Sequence, residues 1–158
     1  MPSSHSSRLT RCETQLNDFL AEALRGVPVE TLATTVPGKW SAHDNLAHLA
    51  RYHQIFLDRI TRILTEDAPA FDRYRAEGDD DWQGWRTLPT SQVLTRLSSM
   101  RTKLMARLRS LNEGDFERTG VHPKFGVMTL SLWLEFFLVH EAHHLYVVLG
   151  LVRKNAFF

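Results

Sequence analysis

Residues 138–150 read LVHEAHHLYVVLG, a run that places His140, Glu141, His143 and His144 among apolar side chains. If the run is a helix, successive residues turn by about 100°, so His140 and His144 lie about 40° apart on its surface. Trp133, Phe136, Phe137, Val147 and Leu151 share that sector. The pair therefore occupies the middle of an apolar face that points into a core, while His143 is turned about 60° away from His140. Two imidazoles spaced four residues apart on a helix bring their nitrogens onto one divalent metal ion. The competing reading is a core helix whose histidines each bond a carbonyl or a carboxylate, since a buried polar group without a partner costs a few kcal/mol.

Outward from this run, four segments carry the helical period and none shows sustained strand alternation. The first spans about Ser7–Leu24, with Leu9, Leu16, Phe19, Leu20 and Leu24 inward. The second starts at SAHD, where Ser41 and Asp44 form a capping box, and runs to about Leu64. The third spans about Ser91–Leu111, with Val93, Leu97, Met100, Leu104, Leu108 and Leu111 as its stripe and Arg96, Arg101, Lys103 and Arg107 largely outside it. The fourth spans about Thr129–Leu151 and follows the loop RTGVHPKFGVMT. Between the second and third lies TEDAPAFDRYRAEGDDDWQGWRTLPT, residues 65–90. Bundle links are usually about 2–8 residues, so this one crosses the bundle end or covers a site. In it, Trp82 and Trp85 form a lid or seal that end. The expected fold is all-α: one domain over residues 1–158, a four-helix bundle with a long crossover between helices two and three.

Composition narrows the function. The chain of 158 residues has 19 basic and 18 acidic side chains, a balance that gives no reason to expect nucleic acid as partner. No window approaches the roughly 18 apolar residues of a membrane span. The opening MPSSHSSRLTRC lacks the apolar stretch of a signal peptide, and the single cysteine, Cys12, forms no intrachain disulfide. A soluble cytoplasmic protein is the expectation.

A third ligand must come from another helix. His43, His48 and His53 stand five residues apart, about 140° on the wheel, so one of them at most faces a given site. His43 is in the exposed first turn, His53 falls within the apolar sector, and His48 lies on its border with Asn45 and Tyr52 on the same side. Geometry leaves His48 and His53 comparable.

WSAHDNLAHLARYHQIFLDRI, followed much later by GVHPKFGVMTLSLWLEFFLVHEAHHLYVVLG, resembles the DinB/YfiT-like metalloprotein superfamily. The likeness covers nearly the whole chain: a Trp-Ser helix start, a His-Leu pair, a long crossover, and a last helix carrying H-x-x-x-H after F-G-x-M-T-L. It implies a four-helix bundle and three metal-binding histidines, which match His48, His140 and His144. The chain departs from the pattern where many relatives carry a polar stretch resembling R-G-Q; here stand Leu145, Tyr146 and Val147.

HEAHH also satisfies H-E-x-x-H, the zinc-peptidase signature with Glu141 as general base. The extended form fails, with Val147 and Gly150 in place of its glycine and last histidine. The 14 residues after His144 contain no further His, Asp or Glu, and no strand offers to hold a peptide. A di-iron carboxylate site fails too, because no second E-x-x-H is present.

Three neutral imidazoles with an open position make a catalytic site, and imidazole suits zinc, nickel, copper or iron, with zinc or nickel the leading expectation. Glu141 is either a proton acceptor at the site or a margin carboxylate. Tyr52, Asn45 and His143 are candidate pocket residues. By resemblance, the expected activity is metal-dependent chemistry on a small molecule, either S-transfer with a low-molecular-weight thiol or hydrolysis. The alternative is a metal-binding or stress-related protein without turnover. Leu134, Leu138, Leu145 and Leu149 form a second apolar stripe on the last helix, from which a homodimer through that helix is expected.

Overall fold

The structure, a computed structural model, describes residues 5–153; the ends of the expected 1–158 domain lie outside the described residues. In chain order the elements are α1 (Ser6–Ala23), α2 (Val29–Leu32), α3 (Ala42–Thr65), a 3-10 turn (Ala76–Gly78), α4 (Asp80–Arg86), α5 (Thr90–Arg109), α6 (Glu113–Glu117), β1 (Thr119–His122), β2 (Gly126–Thr129) and α7 (Leu130–Val152). The four long helices are those read from the sequence, with ends within two residues of expectation. Two of them start at side-chain caps. The Ser41 side chain accepts from the Asp44 amide while Asp44 accepts from the Ser41 amide, closing the capping box on α3. Thr129 caps α7 through the Leu132 amide. At its other end α3 stops against Arg118, whose side chain donates to the carbonyls of Ile63 and Glu66.

α3 packs against both α5 and α7, and α1 closes the bundle against the same two helices. Helices consecutive in sequence are thus not always neighbours: α1 lies diagonally across from α3, and α5 across from α7. The interior divides into two apolar clusters. One gathers Phe56, Ile60, Ile63, Leu104, Leu108, Trp133 and Phe137. The other gathers Leu16, Leu46, Leu49, Trp82, Val93, Leu97 and Val148.

A polar belt with one residue from each helix separates the clusters. Arg101 of α5 donates through Nη2 to Glu141 of α7 and through Nε to His53 of α3 at 3.0 Å. Gln15 of α1 donates to the other Glu141 oxygen at 3.0 Å. The Arg101 Nη1 group donates to the Cys12 carbonyl. Arg101 is 2% exposed, so the sequence expectation that it lies outside the inward stripe is corrected. The guanidinium reaches the centre because three helices each supply it an acceptor.

Two further expectations change. The loop before α7 is partly a hairpin, with Thr119 opposite Thr129 and His122 opposite Gly126. Gly126 holds φ +73°, the left-handed position that a short hairpin loop demands. The start of the crossover joins it: Phe71 donates to the Val121 carbonyl, and Val121 to that of Pro69. Of the stripe read as a face for a second subunit, Leu134, Leu138 and Leu145 are buried within the chain alongside Cys12 and Leu16 of α1, while Leu149 is half-buried. The apolar side chains that α7 leaves exposed are Leu132, Val139 and Tyr146. Among the described residues no helix is long and apolar enough to cross a membrane.

Candidate metal centre

His48 from α3 and His140 and His144 from α7 converge where these helices meet, below the crossover. Each offers a nitrogen, and the three atoms lie within 4.8 Å of one another. The Nε2 atoms of His48 and His140 are 3.1 Å apart. Two nitrogens bound at about 2.0–2.1 Å to a tetrahedral ion would stand about 3.3 Å apart, so the pair is already close to ligand spacing. The ring centroids are 4.4 to 5.0 Å apart.

The protein does not complete the hydrogen bonding of this cluster by itself. Among the described residues the buried Nδ1 atoms of His48 and His140 meet no partner, although nearly all buried polar atoms in folded proteins do. His144 is different. Its Nδ1 donates to Asn45 Oδ1 at 2.8 Å, and the Asn45 amide is oriented by donating to the Ser41 carbonyl at 2.8 Å. The proton is therefore held on Nδ1, and the Nε2 lone pair is free for the site.

Protonation also suits metal binding. Burial, reinforced by neighbouring imidazoles, lowers His48 to about 3, His140 to about 2 and His144 to about 4. All three are neutral at physiological pH, the form that ligates. Among the described residues no fourth His, Cys, Asp or Glu joins the group. The donor set fits a divalent transition ion with an open position.

The cluster opens onto a cavity of about 710 Å³, ample for a small molecule. Aromatic rings wall it. Tyr74, from the crossover, stacks on His48 at 5.8 Å, and Trp40 stacks on His144 at 6.0 Å. Tyr52 lies against His140 with centroids 4.0 Å apart. Asp79 fixes the crossover, accepting from Arg51 of α3 and from the Tyr74 hydroxyl, each at 2.8 Å.

A family comparison fits this geometry: the DinB superfamily profile matches residues 13–148. The chain belongs to the DinB superfamily. It is 28% identical over 118 residues to "Putative metal-dependent hydrolase YfiT" of Bacillus subtilis, covering 74% of this chain and 66% of that protein. A second such protein, from Oceanobacillus iheyensis, is 25% identical over 120 residues, covering 75% of this chain and 68% of its own. The chain thus spans about two thirds of the length of these relatives. The solved structure of YfiT, described as a probable metal-dependent hydrolase with an unusual four-helix bundle topology, superposes with a TM-score of 0.80. That match covers 98% of this chain and 89% of YfiT at 24% identity, and it bears on the fold.

Of the DinB chain's candidate residues, His48, His140, His144 and Tyr52 meet in one place, and Asn45 serves His144. Glu141 does not join them. It is fully buried on a different face of α7, in the belt with Arg101 and Gln15. The expectation that it acts as a site base is therefore corrected. One residue along a helix turns by about 100°, so the neighbour of an inward ligand faces another helix. His143 is exposed and lies outside the cavity. His53 is a core residue, its Nδ1 donating to Leu49 O at 2.6 Å. His43, placed by its position in the first turn, is in fact buried, bonded to Thr90 and to the Arg86 carbonyl. Trp82 is 1% exposed and seals the bundle end. Sequence reading missed Trp40, Tyr74 and Arg59, which lie outside the histidine pattern; Trp40 directly precedes the Ser41 cap and was legible only as a helix-start marker.

Proposed function

We propose that this DinB chain is a metal-dependent enzyme acting on a small molecule, by hydrolysis or by thiol S-transfer, with His48, His140 and His144 holding zinc or nickel. The observation that carries the reading is three neutral imidazoles converging at the floor of a cavity, with no fourth protein ligand among the described residues. A site intended only to hold metal is ordinarily closed by a fourth ligand. A divalent ion in this donor set supplies Lewis acidity at an open coordination position.

The chain's own residues supply the rest. Asn45 fixes the tautomer of His144. Tyr52 is kept a protonated phenol because burial raises its pKa, against the pull of Arg59. Its oxygen accepts from Arg59 at 3.4 Å, leaving the hydroxyl hydrogen to donate to a substrate oxygen beside His140. Trp40 and Tyr74 flank the histidines and limit the approach of water. Cys12 is no nucleophile: burial lifts its thiol to about 11.

The test is elemental analysis of untagged protein purified without chelator or nickel resin, followed by assays on activated esters and on thiol addition to an electrophile. Near one equivalent of metal per chain, with turnover lost in His140→Ala, is expected. A chain that holds no metal and shows no thermal shift with zinc or nickel overturns the reading.

A further inference from the structure

The cavity has a second polar end. Arg59 lines it while only 8% exposed, and among the described residues it forms no ion pair with a carboxylate. Its guanidinium lies 5.4 Å from the Phe71 ring centroid and 5.3 Å from that of Trp133. Its acceptors are the Tyr52 hydroxyl at 3.4 Å and the Asp72 carbonyl at 3.2 Å. A guanidinium carries five N–H groups, and among the described residues the others meet no protein acceptor. Burying a charge without its counter-charge is costly, and the other buried arginine, Arg101, has Glu141.

The neighbours of Arg59 are donors as well. His122 lines the same cavity, and its Nδ1 accepts from the amides of Lys124 and Phe125 at 3.0 and 3.1 Å. The proton of this ring, kept neutral by burial and by Arg59 and Lys124, therefore sits on Nε2. The Tyr52 hydroxyl hydrogen is uncommitted. The lining also includes the exposed Arg73, Arg75 and Lys124 against one carboxylate residue, Glu77. A cavity end with a buried cation, donor hydrogens and a cationic rim calls for an anionic oxygen ligand.

We propose that Arg59, with the Tyr52 hydroxyl and His122, forms an anion subsite of the three-histidine cavity, so that the substrate carries a carboxylate or phosphate group as well as the group that reacts. The assignment takes the three-histidine site as the reacting centre, but anion binding by Arg59 is measurable without metal. Tyr52 joins the two ends, touching His140 by its ring and Arg59 by its oxygen. One substrate is thus held at two points, and the anion fixes which group reaches the histidines.

Calorimetry on the zinc-loaded chain compares 3-mercaptopropanoate with its uncharged amide, and propanoate and inorganic phosphate are titrated into the metal-free chain. The wild-type chain should bind the acid at least tenfold tighter than the amide. Arg59→Gln should reduce that preference to within twofold while leaving the zinc stoichiometry and the affinity for the amide unchanged, and Arg59→Lys should restore part of it. Propanoate and phosphate should bind the metal-free wild type and not Arg59→Gln, the tighter of the two naming the anion class. Equal affinity of acid and amide for the wild type overturns the subsite, as does a preference that survives in Arg59→Gln. If Arg59→Gln does not fold by circular dichroism, the wild-type comparison and Arg59→Lys decide. A chain that takes up no zinc defeats the metal reading, and the metal-free titrations still judge Arg59.

Discussion

His48 and His53 differ by five residues and by everything that matters to the site. Both are buried, so a hydrophobic pattern along α3 cannot rank them. They are told apart by what comes from other helices: His48 meets His140 and His144, whereas His53 meets Arg101 of α5. Contacts across the bundle are invisible in a one-helix pattern, so the spacing gave the His140–His144 pair but the third ligand was readable only through family resemblance. Two substitutions separate the roles. His48→Ala should abolish stoichiometric metal uptake with the fold retained. His53→Ala should keep one equivalent of metal but cost about 1–3 kcal/mol in a denaturant titration, because it leaves the Arg101 Nε–H unpaired. Asn45→Ala should keep the stoichiometry and weaken metal affinity about 10–100-fold, the usual result of removing a group that orients a ligating histidine. Metal competition with a chromophoric chelator reads that loss.

At the scale of elements, α7 does two jobs on two of its faces. His140 and His144 face the cavity, and Glu141 between them faces the belt that crosses the middle of the bundle. The run LVHEAHH announced a polar helix inside a core, but a single sequence does not say which polar residue looks which way until neighbours are placed. The belt is a structural assembly: Glu141→Gln should leave the buried Arg101 charge without its counter-charge and destabilise the protein by about 3–5 kcal/mol. Folded Glu141→Gln protein should still hold one equivalent of metal, read by elemental analysis; loss of metal in a protein with native circular dichroism would return Glu141 to the site. The hairpin escaped notice because strands of four residues give too little alternation to detect. Its packing is nevertheless tight. A Cβ on Gly120 would lie 2.7 Å from Phe71 and 3.0 Å from Ile63. Gly120→Ala should therefore cost about 1–3 kcal/mol by overpacking, and it should displace the ring on which Arg59 rests.

Across the whole molecule, the metal site and the belt share one consequence: four histidines are stored uncharged in the interior. Burial lowers His48 and His53 to about 3, His140 to about 2 and His144 to about 4, against about 6.5 in the unfolded chain. Above pH 6.5 neither state binds these protons, and the stability of the fold is fully present. Below it the unfolded chain takes up protons that the folded chain refuses, so stability falls as pH drops from 6.5 towards the folded values. By pH 5 each histidine that stays neutral costs about 2 kcal/mol, and several together rival the whole stability of a domain. The raised carboxyl of Glu141 opposes this as a single group, while the lowered carboxyls of Asp44 and Asp79 add to it only near pH 4 and below. Metal-free protein should accordingly lose thermal stability steeply between pH 6.5 and 5, well above the range of ordinary carboxylate titration. Metal at neutral pH should raise the melting temperature in proportion to the logarithm of its free concentration over Kd, and a chelator should reverse the gain. As the pH falls, protons compete for the same nitrogens, so the stabilisation by metal should shrink over the same interval. A metal-free melting temperature that stays flat from pH 7 to 5 would mean that these histidines accept protons in the folded chain, and with it the case for three ready-made neutral ligands would fall.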